Sequence, residues 1–288
     1  MTIEFTIIAH RGASYQAPEN TLPAFELAFK QGADFIEADF WLTADYRIAS
    51  IHDANTGRVA PGQKKHVISQ SNMPDLQFLD VGSWKHSSFS GTRIPALEEV
   101  LDLIPQGKGI YIEIKDPRPD IILHIEKIIK DSRVPKELIK IMAFDPALVS
   151  AAKGRMPGIK VYWLYYWYLD QNSGVPSNSE SEILSVLKST AADGLDINNC
   201  VWVNKYFMEA LCKLNLDLVL YTVDLLVDAV RFISIGANKL TTNRPAELRR
   251  ELNDYFKPVI DHSHKAEKLT LGPNGNYSFL SQRDPDED

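Results

Sequence analysis

The chain has 288 residues and a mass of 32.5 kDa, and its 44% hydrophobic, 10% aromatic and 24% charged residues are typical of a soluble globular protein with a sizeable core. The formal net charge is -7 and no stretch is rich in lysine and arginine, so nucleic acid is excluded as an expected partner. Cys200 and Cys212 have no CxxC spacing, which argues against a thiolate metal site and against a disulfide framework.

The N-terminal segment MTIEFTII enters a predicted strand at once and lacks the basic start, apolar stretch and cleavage site of a secretory signal. No apolar run reaches the roughly 18 residues that a transmembrane helix needs. The aromatic segment VYWLYYWYL is too short for that role. These features predict a cytoplasmic protein without a transmembrane segment.

Apolar runs of strand length alternate with segments of helical period along most of the chain. The predicted strands are TIIAHRG, DFIEADFWL, GIYIEIK, IKIMAF, VYWLYY, GLDIN, LVLYTVD and KLTTN. The predicted helices cover residues 21–32, 94–104, 121–132, 146–156, 181–190, 204–215, 226–236 and 246–256. About eight strands, each followed by a helix, predict an α/β protein with a TIM (β/α)8 barrel over residues 1–256, with a doubly wound open sheet as the alternative.

One connection departs from this alternation. RIASIHD follows the second strand after only three residues, 44–46, which is too short for a parallel crossover and predicts an antiparallel hairpin. A turn centred on Asp45 and Tyr46 would place Asp39 opposite His52. Residues 54–93 are polar and turn-rich and predict a small insertion that forms a lid or a substrate wall. Residues 257–288 lose periodicity and predict a C-terminal arm or tail that is partly disordered.

Three carboxylates lie on predicted strands of a barrel whose functional face is the carboxyl end of its strands. Glu37 and Asp39 are two residues apart, so their side chains share one face of the second strand. Glu113 and Lys115 repeat that spacing on the next barrel strand. Taken singly, each carboxylate is explained by an ion pair, such as Glu113 with Lys115 or Glu37 with Arg11. Taken together they predict an oxygen-rich site for one divalent cation, Mg²⁺ or Ca²⁺.

Two histidines and two basic residues accompany these carboxylates. His10 and His52 are the natural acid and base, because the ordinary pKa of histidine, about 6.5, allows proton transfer near neutral pH. Arg11 and Lys115 supply positive charge for an anionic oxygen. Glu19 is a candidate brace for Arg11, while Asn20 or Thr21 caps the first helix.

Familiar motifs of other enzyme classes are absent from the sequence. There is no G-x-S-x-G elbow, no Walker loop and no G-x-G-x-x-G after a strand, which removes the serine hydrolase, NTPase and dinucleotide-binding interpretations. The remaining chemistry is metal-assisted cleavage of a phosphate ester.

The motifs HRG, PENT, IEAD, SIHD and YIEIK, in this order, resemble those of the glycerophosphodiester phosphodiesterase family. The resemblance extends from Ile7 to about Leu248 and includes IPALEEVL, MAF, YTVD and TTNRP. It implies a TIM barrel that acts in lipid and glycerol metabolism and hydrolyses a small-molecule glycerophosphodiester to sn-glycerol 3-phosphate and an alcohol. The implied residues are His10 and His52 for catalysis, Glu37, Asp39 and Glu113 for the metal, and Arg11 and Lys115 for the phosphate.

Some positions depart from the family pattern. Asn243 stands where the family has Asp in Thr-Asp-x-Pro, and Tyr221 stands where it has Trp before Thr-Val. We therefore expect altered hydrogen bonding beneath the site and a reshaped glycerol pocket. Trp163, in the aromatic strand, either packs in the barrel or contributes to a wall for a choline-like cation or an acyl chain.

Two alternatives stay open at this point. A lysophospholipase D would use the same metal and histidines, together with an apolar groove from the aromatic segment and the insertion. A barrel that binds phosphodiesters without turnover is suggested only by Asn243.

Overall fold

The computed structural model describes residues 4–171 and 173–257. Its strands are β1 (Thr6–Ala9), β2 (Phe35–Leu42), β3 (Ile48–Ser50), β4 (Gly109–Ile114), β5 (Ile139–Ala143), β6 (Lys160–Tyr165), β7 (Gly194–Asn198), β8 (Asp217–Tyr221) and β9 (Lys239–Thr242). All of these except β3 are parallel, and β1 pairs with both β2 and β9, which closes the sheet. The predicted TIM barrel is confirmed.

Helices surround the barrel, and several of them begin at a residue whose side chain caps the first turn. They are α1 (Leu22–Lys30), α2 (Met73–Gln77), α3 (Leu97–Leu103), α4 (Ile121–Asp131), α5 (Pro146–Arg155), α6 (Glu180–Thr190), α7 (Lys205–Lys213), α8 (Leu226–Ser234) and α9 (Pro245–Tyr255). Thr21 is the N-cap of α1, while Ser179 and Glu182 form a capping box on α6. Ile121, Ile125 and Ile129 recur every four residues on α4 and are buried, which holds this helix against the sheet.

The amino-terminal end of the barrel is closed by an ion-pair layer. Asp217 lies 2.7 Å from the Lys160 ammonium and 2.6 Å from the Lys239 ammonium, and it accepts a hydrogen bond of 2.7 Å from the Tyr162 hydroxyl. Apolar and aromatic side chains fill the interior above that layer, among them Ile8, Tyr111, Tyr162 and Val219. In the described part of the chain, the opening into the barrel therefore lies at the carboxyl ends of the strands.

Strand β3 forms the predicted antiparallel hairpin with β2, but the expected pairing of Asp39 with His52 is wrong by one residue. Thr43 and Arg47 close a three-residue loop through a backbone hydrogen bond of 2.9 Å, and Tyr46 takes a left-handed conformation with φ 61°. The N–H of Ile51 donates to the Asp39 carbonyl (3.0 Å). Asp39 therefore faces Ile51, and His52 lies beyond the end of the ladder.

The segment 54–93 contains helix α2 and short 3₁₀ turns at Ile68–Gln70 and Ser87–Phe89. It also has an apolar core of its own, distinct from the main core of the barrel and shared with the hairpin. The buried members of this second core are Ala49, Ile51, Val59, Ala60, Ile68, Met73, Leu76, Leu79, Val81, Ile94 and Ala96. The segment is thus more regular than its polar, turn-rich sequence indicated.

The compact unit that contains the barrel ends at Phe256. Among residues 4–171 and 173–257, the longest apolar helices fall short of what crossing a membrane requires. The predicted C-terminal arm or tail, 257–288, lies outside the described residues apart from Lys257.

Candidate active site

A cavity of about 240 Å³ opens at the carboxyl end of the barrel. One side is polar and is lined by His10, Arg11, Glu37, His52, Glu113 and Lys115. The other side is mainly apolar and aromatic and is lined by Met142, Phe144, Leu164, Tyr166 and Tyr221, with Asp196 and Thr241 beside them. Seven of the predicted site residues thus line one cavity, the six on the polar side and Tyr221, and Asp39 lies beneath them.

The sequence His-Arg-Gly produces a sharp turn immediately after β1. Arg11 has a φ of 55° and Gly12 a φ of 81°, both in the left-handed region. A Cβ on Gly12 would lie 2.6 Å from the carbonyl carbon of Ala24, so only glycine fits between this turn and α1. The turn directs His10 and Arg11 toward the same cavity.

Glu37, Asp39 and Glu113 converge at this end of the barrel. Asp39 and Glu113 are aligned partners on neighbouring parallel strands, and Glu37 is on the same face of β2. Each of the three offers one oxygen, and these oxygens lie within 4.8 Å of one another. All three residues are buried.

Two basic side chains partly neutralise this carboxylate cluster, and amide N–H groups donate hydrogen bonds to it. Arg11 donates its backbone N–H to Glu37 (2.8 Å), and its Nε lies 3.1 Å from Asp39. Asn20 donates to Asp39 from its side-chain amide (2.7 Å), and Lys115 lies 2.7 Å from Glu113. Within the described residues, Oε1 of Glu37 and Oδ1 of Asp39 are buried without a hydrogen-bond partner.

The ionisation of the cluster reflects these contacts. Burial, followed by the charges of Asp39 and Glu113, raises the pKa of Glu37 well above its ordinary range. Burial and Asp39 raise the pKa of Glu113 to about 8. Burial also acts to raise the pKa of Asp39, but Arg11 and Lys115 outweigh it, and that pKa is lowered. An all-oxygen donor set with excess negative charge and orphaned oxygens fits a hard divalent cation such as Mg²⁺ or Ca²⁺.

His10 is held in one tautomer by Asn243 and Asp224. Nδ1 of His10 lies 2.8 Å from Oδ1 of Asn243, whose side-chain amide donates to Asp224 (2.7 Å). Because the amide nitrogen is committed to Asp224, Oδ1 can only accept, and Nδ1 of His10 carries the hydrogen. Burial and the neighbouring Arg11 lower the pKa of His10. Its Nε2, 4.0 Å from Glu37, is therefore free to accept a proton.

We expect Asn243→Asp to lower the free energy of unfolding by about 1–3 kcal/mol, because it sets a carboxylate against Asp224 without a hydrogen between them. Adding Asp224→Asn should restore most of the loss, because the amide then donates from the other side. Urea unfolding of the two single variants and the double variant measures this coupling. Additive losses in the double variant would contradict the pairing.

His52 belongs to a chain of charged contacts at the polar edge of the cavity. Its Nδ1 lies 2.7 Å from Asp53, which also accepts hydrogen bonds from Arg58 of 2.9 and 3.0 Å. The hydrogen bonds from Arg58 lower the pKa of Asp53 to about 2. Arg58 also donates to Glu19 (2.7 and 2.8 Å), and Glu19 accepts from Arg11 (3.1 Å). The Asp53 carboxylate, itself held by Arg58, therefore fixes the orientation of the His52 ring.

The aromatic strand β6 divides its side chains between two faces. Trp163 is buried on the outer face, where its Nε1 donates to the Phe144 carbonyl (3.0 Å), so of the two alternatives given for it the structure supports packing in the barrel. Because side chains alternate along a strand, Leu164 and Tyr166 face the cavity instead. Tyr221 lines the cavity as expected.

Sequence reasoning missed several residues that hold this site in place. The sequence predicts Asn20 only as an alternative helix cap, whereas Thr21 takes that position and Asn20 binds both the N–H and the carboxylate of Asp39. Arg58 and Asp224 also support the site. The signals that could identify them are a basic residue shortly after His-Asp and an acid at the end of YTVD.

Solved structures with this fold include a phosphodiesterase from Oleispira antarctica in complex with the product sn-glycerol 3-phosphate. It has 23% sequence identity and a TM-score of 0.76, with coverage of 86% of this chain and 96% of that protein. Similarity at this level of sequence identity supports a shared fold and no further conclusion.

Sequence relatives carry the comparison further. YhdW of Bacillus subtilis is 48% identical over 109 residues, which are 38% of this chain but only 44% of YhdW. A glycerophosphodiester phosphodiesterase of Caldanaerobacter subterraneus is 30% identical over 246 residues, 84% of this chain and 95% of the relative. The profile of the glycerophosphoryl diester phosphodiesterase family matches residues 10–247. The chain therefore belongs to the glycerophosphoryl diester phosphodiesterase family.

Proposed function

We propose that the protein hydrolyses glycerophosphodiesters to sn-glycerol 3-phosphate and an alcohol in a reaction that depends on a divalent cation. The observation that carries this proposal is one site at the mouth of a barrel of this family, where three buried carboxylates, two histidines and two basic side chains come together. A divalent cation held by Glu37, Asp39 and Glu113 would act as a Lewis acid on the phosphate.

The two histidines have unequal surroundings, and this suggests unequal roles. A neutral amide lies behind His10, which leaves a neutral imidazole suited to take a proton from the nucleophile. The carboxylate of Asp53 lies behind His52 and orients its ring, and we assign to His52 the delivery of a proton to the departing alkoxide. The nucleophile is either water or the 2-hydroxyl of the glycerol itself.

Arg11 and Lys115 retain donors for the phosphate after their contacts with carboxylates. Arg11 has five N–H groups, and its side chain pairs through Nε with Asp39 and through Nη1 with Glu19. The Lys115 ammonium has three hydrogens and lies 2.7 Å from Glu113 and 3.7 Å from Asp39. Their remaining hydrogens can stabilise the charge that develops on the phosphoryl oxygens.

Release of sn-glycerol 3-phosphate from glycerophosphocholine and glycerophosphoethanolamine tests the proposal. We expect turnover by the purified protein, loss of turnover with EDTA, and recovery when Mg²⁺ or Ca²⁺ is added back. No release with either cation would contradict the proposed reaction.

A lysophospholipase D reaction is a second candidate, because Phe144 and Tyr166 line the cavity and are 45% and 56% exposed at its mouth. An apolar rim of this kind suits an acyl chain as well as a head group. The same assay with lysophosphatidylcholine separates the two substrates. Asn243 no longer favours a barrel without turnover, because its amide is the partner that Asp224 requires.

A further inference from the structure

Two buried polar groups lie on the apolar side of the cavity. Asp196 on β7 and Thr241 on β9 are each only 2% exposed. In the part of the chain that the structure describes, Oδ1 of Asp196 and Oγ1 of Thr241 are buried without a hydrogen-bond partner. Buried polar groups in folded proteins are nearly always hydrogen-bonded, so these two atoms require an explanation.

Both residues line the cavity, on either side of Tyr221 on β8. The neighbouring polar groups are engaged elsewhere. The Tyr221 hydroxyl donates to the Tyr165 carbonyl (3.2 Å), and the Asn198 amide donates to the Trp167 carbonyl (3.0 Å). The partner for Asp196 and Thr241 must therefore come from within the cavity.

The charges around the cavity indicate what kind of partner fits. Arg11 and Lys115 are held on the polar side by Asp39 and Glu113, so neither cation pairs with Asp196. Burial raises the pKa of Asp196 well above its ordinary range, with the charge of Glu113 adding to the effect. An unpartnered carboxyl and an unpartnered hydroxyl that face one cavity are complementary to groups that both donate and accept hydrogen bonds, as alcohols do.

We propose that Asp196 and Thr241 form a hydroxyl-binding subsite that receives the free hydroxyls of the glycerol moiety. This inference rests on the proposed function and adds the orientation of the substrate to it. The glycerol end lies deep in the cavity, between the carboxylate cluster and β7–β9. The alcohol that departs then lies toward Phe144 and Tyr166 at the exposed mouth.

Binding of two ligands that differ only in hydroxyl groups tests the subsite. sn-Glycerol 3-phosphate has two hydroxyls and n-propyl phosphate has none. In titration calorimetry with saturating Mg²⁺, Asp196→Leu should weaken the binding of sn-glycerol 3-phosphate by about 10- to 100-fold. The affinity for n-propyl phosphate should change by no more than about twofold. Thr241→Val should act in the same direction with a smaller factor. Asp196→Asn, which keeps the shape and the hydrogen bonding, should retain most of the affinity.

An equal loss for both ligands, or no loss for either, would overturn the subsite. Thermal unfolding of each variant shows whether it folds, and Asp196→Asn and Thr241→Val keep the test available if Asp196→Leu does not. If the wild-type protein releases sn-glycerol 3-phosphate but the variants lose affinity equally for both ligands, the subsite is refuted and the proposed function is not. A wild-type protein that binds neither ligand and turns over no diester refutes the proposed function together with it.

Discussion

His10→Ala and His52→Ala should each lower kcat for glycerophosphocholine by a factor of about 10²–10⁴, the contribution expected of a positioned acid or base. The fold should be retained, because both side chains are partly exposed at the cavity and neither belongs to an apolar core. The measurement is steady-state release of sn-glycerol 3-phosphate in saturating cation. His86→Ala is a matched control, because His86 is exposed, bonds Ser88 and does not line the cavity.

The leaving group distinguishes the two histidines. p-Nitrophenol departs without help from an acid, so the loss caused by His52→Ala should shrink strongly with p-nitrophenyl glycerophosphate, whereas the loss caused by His10→Ala should persist. A shrinking loss for His10 instead would exchange the two roles. If neither substitution lowers kcat with glycerophosphocholine, the pair of histidines is not the catalytic pair.

Without a divalent cation, the protein should lose stability as the pH rises from about 4.5 to about 8. The ordinary pKa of glutamate is 4.5, whereas Glu113 in the folded protein has a pKa of about 8, and that of Glu37 is also raised. Across this window the folded protein binds protons that the unfolded chain has released, so the free energy of unfolding falls with rising pH. A cation replaces these protons, and the gain in Tm that it produces should be larger at pH 8 than at pH 5.5.

Glu37→Gln tests whether this dependence of stability on pH and cation arises from the carboxylate cluster. The substitution relieves the repulsion, so the cation-free protein should gain about 1–2 kcal/mol at pH 8 while the cation-induced gain in Tm nearly disappears. Glu26→Gln changes an exposed pair with Lys30. It should change the free energy of unfolding by no more than about 0.5 kcal/mol and leave the cation-induced gain in Tm unaltered. Differential scanning calorimetry with and without Mg²⁺ measures both. An undiminished cation effect in Glu37→Gln would place the cation elsewhere.

The barrel could be predicted from the sequence because each strand and helix has its own local period. The converging carboxylates followed from the same pattern, since Glu37 and Asp39 alternate on β2, and parallel strands end at one face. The hairpin register differs from the predicted one by one residue because Tyr46 adopts a left-handed conformation. The sequence Ala-Asp-Tyr does not predict that conformation.

The supporting contacts of the site were beyond sequence reasoning because they join distant positions. Asn243 lies 233 residues from His10 in the chain and 19 from Asp224, yet it binds both. The sequence alone indicates that Asn243 replaces an acid of the family pattern. In the structure an acid is still present, because Asp224 binds the side chain of Asn243, which in turn binds His10.

The site residues belong to two parts of the protein, because the hairpin and the segment 54–93 share a second apolar core. His10 and the three carboxylates are carried by barrel strands or by the turn after β1, whereas His52 lies where the hairpin enters this segment and is fixed by the Trp41 indole through its carbonyl (3.0 Å). A unit with its own core can open at a lower free energy than the whole protein. Such local unfolding would remove one of the two proposed catalytic histidines and leave the three clustered carboxylates in place. Proteolytic sensitivity and turnover would then be linked through residues, such as Ile68 and Leu76, that never touch the substrate.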